Sequence, residues 1–443
     1  MTGDLMDTIK EDDNVSDILS NPIPYKLGKY EIIVELGRGT SGIVYKGFDP
    51  FVRREVAVKV GWSDPSPDKD KDKVKLDFFT EAHAAGKLQH PNIVALYDAQ
   101  MEKDLSYIVM EYVKGETLLE YCRKNGKRLP PEKVLECMFK CCMALDFSHR
   151  MGVIHRDIKP SNIMLSDEGE TKLMDFSVAE ITQNRTISPS MIVGSPSYMS
   201  PEQVQAKEVG PQSDLYSLAA VMYQLLTGKT LFPSENMKQT FHDIVHKSPP
   251  TLKDSRPDLP EALSDIIDKA LSKNPADRYE SGRALASDLT EVYDRLIYTG
   301  QNISRGEKRD ALRKLRFFRE FADRHLDELM TVSSVLSFKL GEVISQEGDI
   351  DNSFYIIIQG NAKVIKADKL LVTLNQGDCF GEVGFLTPTR TTTLIAGLNL
   401  TLLKINAVRI ETLTVECRML FYKAFSENLI YRLSSRDRPG DKP

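Results

Sequence analysis

Disulfides, cysteine-rich metal sites and membrane spans are the first things this sequence lacks. Cysteine occurs only at positions 122, 137, 141, 142, 379 and 417 of 443. Four of the six fall in one segment, two are adjacent, and none has zinc-ligand spacing. That excludes a disulfide framework and a structural zinc site, and leaves reduced, buried thiols as the expectation. The best apolar stretch, Ser217–Leu226, is far too short to cross a bilayer. The opening MTGDLMDTIKEDD is acidic and has no apolar core, unlike a secretory signal. A cytoplasmic, reducing location is expected, with no membrane span. Nor is there an excess of positive charge. The net charge of −6 argues against nucleic acid as a partner.

What is present is a soluble composition, 41% hydrophobic and 28% charged, in a chain long enough for two or more domains. Residues 1–25 read as a disordered acidic arm, closed by the helix-breaking Asn21–Pro24. From Tyr30 to Gly61 apolar and polar residues alternate between turns, the mark of antiparallel strands. Residues 63–73 form a charged loop, 74–88 regain helical spacing, and a strand pair is expected at 93–100 and 106–113. Beyond Gly115 the period becomes helical. Val134, Met138, Cys141 and Leu145 stripe one helix, and Ser213–Leu226 reads as a buried one. A β-rich lobe followed by an α-rich lobe is the architecture implied. The composition shifts near Thr299, and residues 299–310 read as a linker or the start of a helix. Residues 311–330 are helical. Short glycine-punctuated strands from Ser334 to Ile405 suggest a β-barrel or jelly roll. A helix over 408–432 and a tail over 433–443 close the chain, an α+β protein overall.

Four motifs follow in order. Gly37-Arg38-Gly39-Thr40-Ser41-Gly42-Ile43-Val44 is a glycine-rich loop between strands, where the backbone could close over phosphates. Alone it reads more readily as a glycine-rich hairpin. A dinucleotide site would need a strand-to-helix turn, and a strand follows here. Ala57-Val58-Lys59 comes one strand later, with Glu81 as the carboxylate to hold the lysine. Alone, such a pair reads as a solvated surface bridge. Then come His155-Arg156-Asp157-Ile158-Lys159-Pro160-Ser161-Asn162 and Asp175-Phe176-Ser177. Together, in this order, they resemble the eukaryotic-like Ser/Thr protein kinases, including those of bacteria, over residues 30–298.

That resemblance implies a two-lobed kinase fold that moves the γ-phosphoryl group of ATP onto protein hydroxyls with Mg²⁺ or Mn²⁺. Asp157 would accept the hydroxyl proton, and Lys159, two residues on, is the Ser/Thr-type choice. Lys59 with Glu81 would hold the α/β-phosphates, while Asn162 and Asp175 would bind metal. The ATP site would comprise Leu36, Gly37, Gly39, Gly42, Val44, Ala57, Lys59, Met110 as gatekeeper, Glu111 and Val113 in the hinge, and Met164. Ser200-Pro201-Glu202 should end the activation segment, with Glu202 paired to Arg278, and Asp214 should support the catalytic loop. Arg156 implies control by phosphorylation at Thr182, Thr186, Ser188 or Ser190, in a homodimer for trans-autophosphorylation. Two residues depart from the family pattern. Ser177 replaces the glycine of D-F-G and restricts its turn. Ser195 replaces a threonine but keeps its hydroxyl. The alternative reading is a catalytically weak pseudokinase scaffold whose working part is a sensor.

The sensor is the second resemblance. Residues 311–432 are similar to cyclic-nucleotide-binding domains, a barrel with flanking helices. Gly341-Glu342-Val343-Ile344 and Glu347-Gly348-Asp349 match early strands. The phosphate-binding cassette would comprise Gly381, Glu382, Val383, Gly384, Arg390, Thr391 and Thr392. Arg390 offers a planar fork to a cyclic phosphate, and Glu382 an acceptor for the ribose 2′-hydroxyl. The cassette has seven residues between Glu382 and Arg390, one fewer than is usual. A cupin-like barrel with an incidental arginine is the other reading. The resemblance implies cAMP or cGMP as an effector of the kinase, with the closing helix over 408–432 as the element that moves.

Overall fold

A computed structural model describes residues 26–39, 42–61, 82, 86–102, 105–123, 126–176, 196–234, 236–297, 305–349, 351, 353–381 and 390–436. The chain forms two compact units, residues 1–282 and 283–443. The acidic arm and Glu81 lie outside the described residues, as do Ser177, Thr182, Thr186, Ser188, Ser190, Ser195, Glu382, Val383 and Gly384.

The first unit begins with β1 (Lys26–Leu27), β2 (Tyr30–Gly39), β3 (Gly42–Asp49), β4 (Arg54–Gly61), β5 (Leu96–Glu102) and β6 (Leu105–Glu111). They pair antiparallel in the order β1-β2-β3-β4-β6-β5. Strict alternation sorts the side chains. Ile43, Tyr45, Val56, Val58, Val60, Tyr107 and Val109 form one apolar core face. Their neighbours Val44, Ala57, Lys59 and Met110 therefore share the other face, since side chains reverse direction at each residue. The register sets Lys59 opposite Val44 and Ala57 opposite Met110.

Helices and a small sheet follow, built from β7 (Gly115–Thr117), β8 (Ile163–Ser166) and β9 (Thr171–Leu173). Helix α1 (Pro131–Arg150) opens on Pro131, whose missing N–H falls where a helix has no acceptor for it. The expected stripe is buried, but so are Leu135, Cys137, Cys142 and Met143, because α1 is wrapped on more than one side. Helix α2 (Pro211–Thr227) is buried from Ser213 to Leu226. All six cysteines are free and buried.

One ion pair ties this region together. Arg278 grips Glu202 with two parallel bonds of 2.7 and 2.9 Å, and Ser213 Oγ donates to the same carboxylate at 2.6 Å. The other Arg278 N–H groups donate to the carbonyls of Gln212, Ser272 and Lys273.

The second unit begins in α3 (Gly282–Ile297). Where one helix was expected over 311–330, the chain forms α4 (Arg305–Arg313), a 3-10 turn over Arg316–Phe318 and α5 (Asp323–Leu329). The break lets Leu315, Phe317, Phe318 and Phe321 all enter one core, which no single straight stripe would allow. Residues 305–310 of the expected linker are thus helical. Eight strands are described: β10 (Ser333–Phe338), β11 (Val343–Ser345), β12 (Ser353–Gln359), β13 (Asn361–Lys366), β14 (Lys369–Asn375), β15 (Cys379–Phe380), β16 (Thr393–Ala396) and β17 (Leu400–Asn406). They form two antiparallel sheets, β10-β17-β12-β15 and β11-β16-β13-β14. Leu336, Tyr355, Ile357, Phe380, Leu394 and Leu402 form one core drawn from both sheets. The alternate residues Phe354, Ile356, Leu403 and Ile405 pack instead against the helices. The closing helix is divided into α6 (Ala407–Ile410) and α7 (Val415–Arg436), and Thr414 N–H between them donates to Glu328.

Replacing Glu202 by Gln strands Arg278, and we expect a loss of about 3–5 kcal/mol at neutral pH. Burial alone would raise the Glu202 pKa, but Arg278 and Ser213 hold it below its ordinary 4.5. A depressed carboxylate stabilises the fold above the unfolded pKa and loses that effect as pH falls through the folded value. The gap between wild type and Glu202→Gln should therefore narrow below about pH 4.5. Urea unfolding across that range checks this.

Candidate active site and phosphate-binding cassette

The glycine-rich hairpin pairs Gly39 with Gly42, and Gly42 sits at φ 142°, where a Cβ would collide with the Val60 carbonyl. Only glycine lets β3 approach β4 so closely here. Gly37 faces open space, and Leu36 is exposed beside it. Val44, Ala57, Lys59 and Met110 share the face described above. Glu111 and Val113 follow in the strand-to-coil passage, and Met164 lies on β8 opposite Thr117. The Glu111 carboxylate binds Lys172 at 2.9 Å and accepts from Ala95 N–H at 3.2 Å.

Lys59 Nζ reaches Asp175 Oδ1 at 2.5 Å. The lysine from the sheet thus meets the first residue of the Asp-Phe-Ser motif directly, an arrangement that sequence reasoning, looking to Glu81, did not anticipate. A lysine, a carboxylate and an amide gather in the next loop. Lys159 Nζ donates to Asp157 Oδ2 at 2.6 Å, and Asn162 Nδ2 donates to the same oxygen at 3.0 Å and to the Asp157 carbonyl at 2.8 Å. With its Nδ2 turned to Asp157, Asn162 offers its amide oxygen to a cation. One carboxylate and one amide oxygen, completed by nucleotide phosphates and water, form a donor set that Mg²⁺ accepts. Asp157 keeps a carboxylate that could receive a hydroxyl proton.

The loop is held in this shape by Asp214, which is 1% exposed. Its carboxylate accepts His155 N–H at 2.8 Å and Arg156 N–H at 2.7 Å, and bonds His149 Nε2 at 2.8 Å. Burial opposes the charge, yet these bonds outweigh it and hold the Asp214 pKa below its ordinary value. Arg156 and Asp175 both take left-handed backbone conformations, φ 66° and 71°, which non-glycine residues adopt only under constraint. At Arg156 that constraint is Asp214 on the N–H and Gln203 Nε2 on the carbonyl, at 2.8 Å. Since Asp157 N–H donates to His155 Nδ1, the proton of that ring sits on Nε2 and donates to the Met174 carbonyl at 3.0 Å. Phe176 packs on the His155 ring with centroids 4.5 Å apart.

In the barrel, Arg390 is 5% exposed and its Nη2 donates to Asp351 Oδ2 at 2.5 Å and to the Ser353 carbonyl at 2.7 Å. Tyr355 Oη donates to the same carboxylate at 2.8 Å, and the Tyr355 ring stacks on Phe380 at 4.9 Å. Burial opposes both charges, but each outweighs that for the other: Asp351 is held well below the carboxylate range and Arg390 is raised. Gly381, at φ 88°, lies against the guanidinium, where a Cβ would stand 2.6 Å from Nη1. The buried Nε–H of Arg390 has no acceptor among the described residues. Thr391 is exposed and Thr392 half-buried beside it. Asp351 is the partner the sequence reading missed. An acid three residues before the apolar Phe354–Ile358 was the available signal, though Glu347 and Asp349 stand close by.

A strand lobe carrying a lysine, a loop presenting an aspartate, lysine and asparagine, and an Asp-Phe turn touching that lysine define the protein kinase class. Residues 30–290, more than half the chain, match the family model described as protein kinase domain, and the chain belongs to that family. Residues 335–416 match the cyclic nucleotide-binding domain. Among similar proteins, the serine/threonine-protein kinase PrkC of Bacillus subtilis is 36% identical over 268 residues, 60% of this chain and 41% of that protein. The serine/threonine-protein kinase PknB of Mycobacterium leprae is 36% identical over 276 residues, 61% of this chain and 44% of that one. The chain thus spans less than half the length of these curated relatives. The crystal structure of the Mycobacterium tuberculosis PknI kinase domain covers 60% of this chain and 97% of its own, at 28% identity and a TM-score of 0.49. At that score the likeness carries no weight of its own. No described helix is long and apolar enough to cross a membrane.

Truncating Asp214 to Ala leaves two buried N–H groups without acceptors, at about 1–3 kcal/mol each. The His155 and Arg156 amides should then exchange with solvent at least about tenfold faster, as hydrogen–deuterium exchange will read.

Proposed function

We propose that this chain is a Ser/Thr protein kinase that moves the ATP γ-phosphoryl group to protein hydroxyls, under the control of a cyclic nucleotide held by its barrel. The observation that carries the catalytic half is the contact of Lys59 with Asp175, beside Asp157, Lys159 and Asn162 gathered on one carboxylate. Phosphoryl transfer asks chiefly for position and charge neutralisation. Lys59 would bind the nucleotide phosphates, Asp175 and Asn162 a Mg²⁺ or Mn²⁺ ion, and Lys159 the charge of the group in flight. Asp157 would orient the hydroxyl and accept its proton. The pairing of Lys59 with Glu81, the control of Arg156 by loop phosphorylation, and a homodimer for trans-autophosphorylation belong to the same proposal.

For the sensor half, support comes from the buried Nε–H of Arg390. A buried donor without an acceptor is destabilising by about 1–3 kcal/mol, and a cyclic phosphate would satisfy it. Gly381, Glu382, Val383, Gly384, Thr391 and Thr392 would supply the remaining contacts. An effector of this kind shifts activity only as far as it binds two states of the protein differently.

Radiolabel transfer from ATP to protein should fall about 10²–10⁴-fold in Asp157→Ala. Lys59→Ala should fall as well. Activity in the wild type no greater than in these variants would refute the catalytic reading. Calorimetry should show cAMP or cGMP binding that Arg390→Ala weakens about tenfold or more. Absence of heat with either nucleotide would mark the barrel as structural.

A further inference from the structure

A polar cavity in the barrel unit, of about 360 Å³, is lined by none of the cassette residues named above. Lys308 on α4, Lys404 and Asn406 on β17, and Arg409 on α6 line it, together with Ser287 and Glu291 on α3. Its walls therefore bring Lys308, Arg409 and Glu291 together, while the charge of the third cation, Lys404, also acts on Asp351 of the cassette. The size falls in the range of small-molecule sites.

Three donors on these walls have no acceptor among the described residues. Asn406 is 6% exposed, and its Oδ1 is fixed by accepting Val408 N–H at 2.9 Å. That orientation leaves Nδ2, which is buried and unbonded. Ser287 is 3% exposed, and its Oγ is likewise buried and unbonded. Lys308 is half-buried on α4 and makes no ion pair. Native proteins rarely leave buried groups such as Asn406 Nδ2 and Ser287 Oγ unsatisfied, and the two beside the ammonium of Lys308 call for an oxyanion. Another cavity, of about 220 Å³, shows the contrast. There Arg319 pairs with Glu427 and Lys423 with Glu320, so its charges are already spent on each other.

We infer that this cavity is a binding site for a phosphate-bearing small molecule, distinct from the ATP and cyclic-nucleotide sites. The phosphate accepts from Lys308, Asn406 Nδ2 and Ser287 Oγ, with Arg409 adding positive charge. Glu291, which pairs with Arg409, is the group the ligand competes with.

Hydrogen–deuterium exchange on the full chain, with inorganic phosphate as the probe and chloride at matched ionic strength as the control, tests this. Phosphate should slow exchange over residues 330–336 and 404–409. Lys308→Ala should weaken the apparent affinity about tenfold, the effect of one lost charge-assisted bond. Glu291→Gln removes the competing charge and should strengthen it. Arg390→Ala should leave the protection in place. No protection over those segments, or protection that neither Lys308→Ala nor Glu291→Gln alters, overturns the proposal.

Discussion

The catalytic loop rests on one buried carboxylate. Asp214 receives two consecutive backbone N–H groups and a histidine, and through them fixes a left-handed arginine that would otherwise relax. A charge so deeply buried is tolerated only because every bond it needs is supplied by groups that themselves need an acceptor. The loop and the helix therefore stabilise one another. Asp157, Lys159 and Asn162 take their places as a consequence of that anchor rather than through strong preferences of their own.

Glu202 and Asp351 solve the same problem differently. Each meets a guanidinium, Asp351 with the Ser353 N–H besides, and each has a hydroxyl as an additional donor: Ser213 for Glu202, Tyr355 for Asp351. Arg278 has spent its N–H groups on three carbonyls as well, which makes that pair a structural rivet. Arg390 has not, since its buried Nε–H is without an acceptor among the described residues. The difference in saturation separates an arginine that holds a fold together from one suited to receive a ligand.

Period-two alternation explains why each sheet can serve two purposes. In the kinase lobe one face of β3, β4 and β6 is core while the other collects Val44, Ala57, Lys59 and Met110. In the barrel the odd and even residues of β12 and β17 feed two different cores. A slip of one residue in register would exchange the faces and destroy both the core and the site.

Much of this protein was legible in its sequence because strands, buried helices and motif order are local properties. The alternation over Tyr30–Gly61 and the buried helix beginning near Ser213 could be read there. So could the barrel, from its glycine-punctuated strands. The Glu202–Arg278 pair and the support of the catalytic loop by Asp214 were implied by the family resemblance of their motifs and not by any local pattern. Hydrophobic period and motif spacing act over a few residues, and the chain itself encodes them. What only the tertiary structure decided were meetings across long sequence separations: Lys59 with Asp175, Arg390 with Asp351, and Gln203 with the Arg156 carbonyl. The breaking of the helix expected over 311–330 belongs with these, because the demand to bury Phe317, Phe318 and Phe321 together arises only once the sheet is there to receive them. A charge has no preferred partner in sequence. Its partner is whichever complementary group packing leaves within reach in a place that water cannot enter.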